Sequence, residues 1–302
     1  MKGHRMAQDL APVDAVVAAL RANPLDFAGD LAELRERFDA LGRRPEGVEI
    51  LSVEIDGIRV IELPGDPARG PVVFAHAGGY VAGTAESTLG LTASLARATG
   101  RRVLSVDYSL APEHPFPTAR DEVIRVYRAL LADGVDPASV SFVGASAGGG
   151  LVVQALQHLR DSRVPMPGAA AVISPFSDLT LSGESFEANA HRDPSLTRSG
   201  LAATAAHYCA DPDAMAPTVA SLRGLPPLQV HAGSIEILLS DATRLAARAA
   251  AADVHTTLEI WPGMVHVFPT FAALIPEGEQ ALRAIGAHLD RWTSPAQRGD
   301  LP

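Results

Sequence analysis

A chain of 302 residues with 25 lysines and arginines against 35 aspartates and glutamates has a formal charge of −10, which disfavours nucleic acid as a partner. Its 47% hydrophobic and 20% charged residues supply a sizeable core and exclude wholesale disorder, and no apolar run approaches the roughly 18 residues of a bilayer span. One cysteine, Cys209, excludes an intrachain disulfide and a cysteine-built zinc site. It is expected to be an ordinary helix residue. The start has no apolar stretch of signal-peptide length, so a cytoplasmic location is expected.

In chain order, Val13, Val16, Val17 and Leu20 recur at helical spacing, and so do Leu31, Leu34, Phe38 and Leu41. Residues 1–45 are therefore expected as two amphipathic helices ahead of any strand. EILSVEIDGIRVIEL (49–63) places two β-branched runs around Asp56-Gly57, the signal of a tight hairpin. From residue 71 the runs VVFAHA, RVLSVDY, VSFVGA, AAAVISP, LQVHAG and TTLEIW alternate with helical stretches. Lacking polar alternation, they read as strands covered on both faces, giving an α/β fold with a mostly parallel sheet of about eight strands. An insertion at about 178–222 exceeds what one crossover needs. With the N-terminal helices it is expected to form a helical cap beyond the carboxyl ends of the strands. The segment 293–302 reads as a frayed tail.

Gly144-Ala145-Ser146-Ala147-Gly148 lies between a strand and a helix, the pattern of a nucleophile elbow. Small flanking residues suit a serine held in a strained turn, and the helix that follows directs free N–H groups and its positive end at a developing oxyanion. Upstream, His76-Ala77-Gly78-Gly79-Tyr80 resembles the HGGG-type oxyanion loop of esterases and lipases. The expected oxyanion donors are the N–H groups of Gly78, Gly79 and Ala147. His76 precedes the serine, so a loop-holding role is expected of it rather than that of general base.

These motifs, with DYSLAPEHPFPTA (107–119), SPFSDLTLSG, GLPPLQVHAGSIEILLSDA and GMVHVF in order, make the chain similar to the hormone-sensitive lipase family of α/β-hydrolases, in its bacterial esterase branch. Ser109 stands where arginine is usual in that family. The resemblance implies an α/β-hydrolase catalytic domain over 46–292 and a capped serine carboxylesterase acting on short-to-medium acyl esters. It also implies a homodimer. The partner is a small-molecule ester, and neither metal nor organic cofactor is required.

A serine nucleophile needs a histidine to take its proton and an acid to orient that ring. His266, in WPGMVHVFP after the last expected strand, is the expected base. His231 and His255 lie in or beside strands, His158, His207 and His288 on expected helices, and His4 and His191 in no motif. Glu236, just past LQVHAG, is the expected acid and matches the family's acid position, where Asp is more common. Asp241 is the alternative acid, or else a solvated or hinge-pinning helix carboxylate. Asp178 is the third candidate acid, but reads first as a structural Asx-turn residue. Tyr80, Val81, Tyr108, Phe176, Val267 and Phe268 are the expected pocket residues. The same triad also serves a lactone or amide hydrolase or a biosynthetic acyl-transfer enzyme. A non-catalytic ligand receptor on this fold is the reading from another class, and the presence of His266 argues against it.

Overall fold

The computed structural model describes residues 12–42, 44–211 and 221–293, so His4 and the tail beyond residue 293 lie outside the described residues. Helices α1 (Pro12–Ala22) and α2 (Leu31–Asp39) come first. Asp30 caps α2, its carboxylate accepting from the N–H groups of Ala32 and Glu33 at 2.9 and 3.0 Å. The hairpin expected at Asp56-Gly57 joins β1 (Leu51–Ile55) to β2 (Ile58–Leu63), and both turn residues have positive φ, 50° and 73°, as its right-handed twist requires.

The sheet continues with β3 (Val72–Ala75), β4 (Val103–Val106), β5 (Ser141–Ala145), β6 (Ala169–Ile173), β7 (Leu228–Gly233) and β8 (Thr256–Trp261). Its order is β1-β2-β4-β3-β5-β6-β7-β8, with β2 antiparallel to both its neighbours, β1 and β4, and every other pair parallel. The eight strands and their parallel core match the expectation from the sequence.

Period-two alternation assigns each strand's two faces to different cores. Val72 and Phe74 of β3, with Val143 and Ala145 of β5, pack with α3 (Leu89–Thr99) and α9 (Pro276–Thr293). Val73, Ala75, Phe142 and Val172 face the other way, toward α4 (Thr118–Ala132), α5 (Ala147–Asp161) and α8 (Leu239–Ala251). Helices thus cover both faces, and every parallel strand ends in a loop on the same rim, where α/β sheets place their ligands.

The two segments expected as a cap lie against these loops. Leu34 and Phe38 of α2 join the core around Tyr80, and Val16 of α1 packs with Met264 and Phe268. Among its described residues the insertion carries α6 (Ser185–Ala188) and α7 (Arg198–Tyr208), and Tyr208 stacks on Tyr80 with centroids 3.9 Å apart. Cys209, expected within a helix, instead ends α7 and is buried, its thiol donating to the carbonyl of Asp211. Among the described residues no helix is long and apolar enough to cross a membrane.

Candidate active site

Ser146 sits between β5 and α5 with φ 54° and ψ −121°, a conformation that L-residues adopt only under tertiary constraint. The constraint is visible in the neighbours. A Cβ on Gly144 would stand 2.2 Å from the Gly148 carbonyl oxygen, and one on Gly148 would stand 2.0 Å from that of Ala75. Both glycines are sterically required, which is why the spacing could be read in the sequence. The Ser146 N–H donates to Ile173 O at 2.9 Å and ties the elbow to the end of β6.

Ser146 Oγ lies 2.9 Å from Nε2 of His266, and Nδ1 of His266 lies 2.6 Å from Oε2 of Glu236. An ionised carboxylate only accepts, so the proton of the imidazole belongs on Nδ1 and its Nε2 lone pair faces the serine hydroxyl. The loops after β5, β7 and β8 supply the three groups, and the sheet brings together residues 120 and 30 positions apart. Glu236 is fully buried. Burial raises its carboxyl above the usual carboxylate range, and the hydrogen bond and charge of His266 oppose that shift. Its second oxygen, Oε1, accepts from the Gly233 N–H at 2.7 Å and from the Ser174 hydroxyl at 3.0 Å.

In the loop after β3, the N–H groups of Val81 and Ala82 donate to the carbonyl of Gly78 at 3.1 and 2.9 Å. Among the described residues none accepts from the N–H groups of Gly78, Gly79 or Ala147. Among the described residues, no hydrogen bond joins the His76 side chain to Ser146. Its Nδ1 lies 2.8 Å from Ala77 O, and its ring stacks on Tyr108 at 3.9 Å. Burial lowers its pKa to about 4, keeping the ring neutral. These are the contacts of a loop-holding residue.

Asp241, in the first turn of α8, does not meet His266. Its Oδ2 accepts from the N–H groups of Ser177 and Asp178, both at 2.9 Å. It is buried, and burial pushes its pKa up to about 8, so the solvated alternative is corrected. Asp178 makes the expected Asx turn, accepting from Thr180 N at 3.0 Å. His231 is buried on β7 and accepts from the indole of Trp261 at 3.1 Å.

The six expected pocket residues are all buried. The Tyr80 hydroxyl donates to Phe176 O at 2.6 Å and that of Tyr108 to His76 O at 2.8 Å. Phe268 packs beneath α1, whereas Val81 and Val267 belong to separate cores on opposite faces of the sheet.

The sequence reading missed Ser174, Asn189 and Asp193. Asn189 donates to Glu236 O at 2.9 Å, and Asp193 accepts from Ile237 N at 2.8 Å, so the insertion holds both polar atoms of the peptide group that follows Glu236. For Ser174 a signal existed in its place at the carboxyl end of a parallel strand. The other two carried none.

A family model described as alpha/beta hydrolase fold matches residues 72–270. An acetyl-hydrolase of Streptomyces hygroscopicus is 39% identical over 222 residues, which span 72% of this chain and 74% of its own. An esterase of Acinetobacter venetianus is 35% identical over 244 residues, spanning 79% of this chain and 80% of its own. Among solved structures, an esterase from the bacterial hormone-sensitive lipase family superposes with a TM-score of 0.88 at 36% identity, over 97% of this chain and 100% of its own.

Proposed function

The chain belongs to the α/β-hydrolase fold family, in its bacterial hormone-sensitive lipase branch, and on that footing we propose that Ser146, His266 and Glu236 hydrolyse short-to-medium acyl esters through an acyl-enzyme intermediate. It is a serine hydrolase of carboxylic ester bonds, a reading supported by relatives named esterase and acetyl-hydrolase. The observation that carries the residue assignment is the unbroken line from Ser146 Oγ through the imidazole to Glu236, at 2.9 and 2.6 Å.

In this reading Ser146 Oγ attacks the ester carbonyl carbon while His266 Nε2 takes its proton. The N–H groups of Gly78, Gly79 and Ala147 receive the negative charge on the carbonyl oxygen, and each such donor is worth about 3 kcal/mol in the transition state. His266 then gives its proton to the leaving alkoxide, and the acyl group stays on Ser146. A water repeats the sequence, with His266 as base, and releases the acid. Glu236 keeps the imidazole in the correct tautomer and stabilises it when charged.

Residues 12–42 and the insertion act as the cap in this proposal, with Tyr80, Val81, Tyr108, Phe176, Val267 and Phe268 shaping the pocket walls. In this reading the protein is cytoplasmic and homodimeric, which cell fractionation and light scattering test.

Turnover of p-nitrophenyl esters with acyl chains of two to twelve carbons, against lactones and anilides, tests the substrate class. Mass detection of an organophosphate adduct tests the nucleophile. The expected result is ester turnover that Ser146→Ala abolishes, with the adduct on the peptide carrying Ser146. Unchanged turnover in Ser146→Ala overturns the assignment.

A further inference from the structure

Ser174 follows β6 directly, is fully buried, and is a non-glycine residue with φ 48°. Such a conformation is costly for a side-chain-bearing residue and persists where the surroundings over-determine it. Its own N–H donates to His231 O at 2.7 Å, fixing it to β7. Its hydroxyl then has two partners. It donates to Glu236 Oε1 at 3.0 Å and accepts from the N–H of Val267 at 3.0 Å. Val267 is the neighbour of His266 and is itself held at φ 48°. The residue before Ser174, Ile173, accepts from the Ser146 N–H. A two-residue stretch at the end of β6 therefore touches the serine loop, the acid side chain and the histidine loop.

We propose that Ser174 is a positioning residue of the hydrolytic reaction, setting the orientation and proton affinity of the Glu236–His266 pair through its hydroxyl. The inference deepens the ester-hydrolysis reading and rests on it. Glu236 has two oxygens in a buried site. With Oε1 held by Ser174 and Gly233, Oε2 is the one presented to His266. The bond to Val267 holds the histidine loop at a fixed distance from the same hydroxyl. Removing that hydroxyl takes a donor from a buried carboxylate, which leaves its charge less stabilised and raises the proton affinity of the coupled pair.

The test compares Ser174→Ala and Ser174→Gly with the wild type. Glycine adopts the observed φ without strain, so this variant keeps the backbone while losing the hydroxyl. Circular dichroism verifies the fold. In both variants kcat should fall about ten- to hundredfold, the range seen when outer partners of metal-bound histidines are lost, with KM little changed. The acid limb of kcat/KM should move up by about half a pH unit or more. The low-field Nδ1–H resonance of His266, followed by NMR against pH without substrate, should shift its midpoint in the same direction.

A folded Ser174→Gly protein with wild-type kcat overturns the proposal. So does a fall in kcat with an unmoved NMR midpoint, which reduces Ser174 to packing. If the wild type turns over no ester, the catalytic reading fails separately, and the NMR titration still decides what Ser174 does to the pair.

Discussion

Oε2 of Glu236 stands 2.6 Å from Nδ1 of His266 while Asp241, five residues further on, points its Oδ2 at the backbone of Ser177 and Asp178. Two carboxylates on one short segment thus have separate tasks. One meets the imidazole, and the other holds the start of α8 to the loop after β6.

Glu236→Gln replaces an acceptor with an amide that can donate to Nδ1 and favour the wrong tautomer. Its kcat should drop by about four orders of magnitude, as when the acid of a serine triad is made an amide. Glu236→Asp keeps the charge but shortens the reach, so it should retain clearly more activity than the glutamine variant. Steady-state kinetics on p-nitrophenyl butyrate checks both.

Gly148→Ala should be poorly tolerated, because its Cβ would lie 2.0 Å from a backbone oxygen of β3 and backbone has little room to yield. Overpacking of this kind costs about 1–3 kcal/mol. The melting temperature should fall by several degrees and the elbow should lose activity. Gly149→Ala, whose Cβ would meet Pro175 at 3.1 Å, is the milder control. Thermal melts of the two variants should differ in that order.

Arg35 of α2 donates to Val81 O at 2.8 Å and to Ala111 O at 2.9 Å, and forks onto Glu113. Ala111 in turn donates to Tyr80 O at 3.0 Å, so the first helix pair is fastened to the loop carrying Gly78 and Gly79. Arg35→Ala should lower kcat about three- to tenfold by loosening that loop, since small misplacements of catalytic groups are expensive. Glu113→Gln should do less, because Glu113 is exposed and the two carbonyl contacts remain. Parallel kinetics on the two variants checks the ranking.

Asp241 gives a pH signature in stability. Burial raises its native pKa from the ordinary 3.8 to about 8, so between those values the folded chain holds a proton that the unfolded chain has released. The stabilisation this provides is complete below pH 3.8 and is lost as pH rises through 8. Asp241→Asn keeps an oxygen for the N–H groups of Ser177 and Asp178 and never ionises. It should melt close to the wild type at pH 5 and several degrees higher at pH 9, as circular dichroism at pH 5, 7 and 9 would report.

Much of the site was legible because its parts are local. Asp56-Gly57 fixes its hairpin through two positive φ angles, and Gly144 and Gly148 flank the elbow because a Cβ at either position collides with backbone. The loop from His76 to Gly79 announced itself in the same way, by glycines directly after an apolar strand. Ser174 was not legible as a partner of Glu236, since 62 residues separate them. Arg35 reads as one of several charges on an amphipathic helix, and only the packing of α2 against the loop after β3 gives it carbonyls to hold.

The sequence by itself determined which runs are strands, where the serine turns, and which loops fall on one rim. Backbone preferences and burial periodicity act within a few residues, so they survive in a linear pattern. Tertiary structure separated Glu236, the acid expected from the sequence, from Asp241, and it alone decided which residues fix the geometry at His266. A side chain's partner depends on the direction it takes once distant segments have packed, and Glu236 and Asp241 diverge because one ends the loop after β7 and the other has entered the turn of α8.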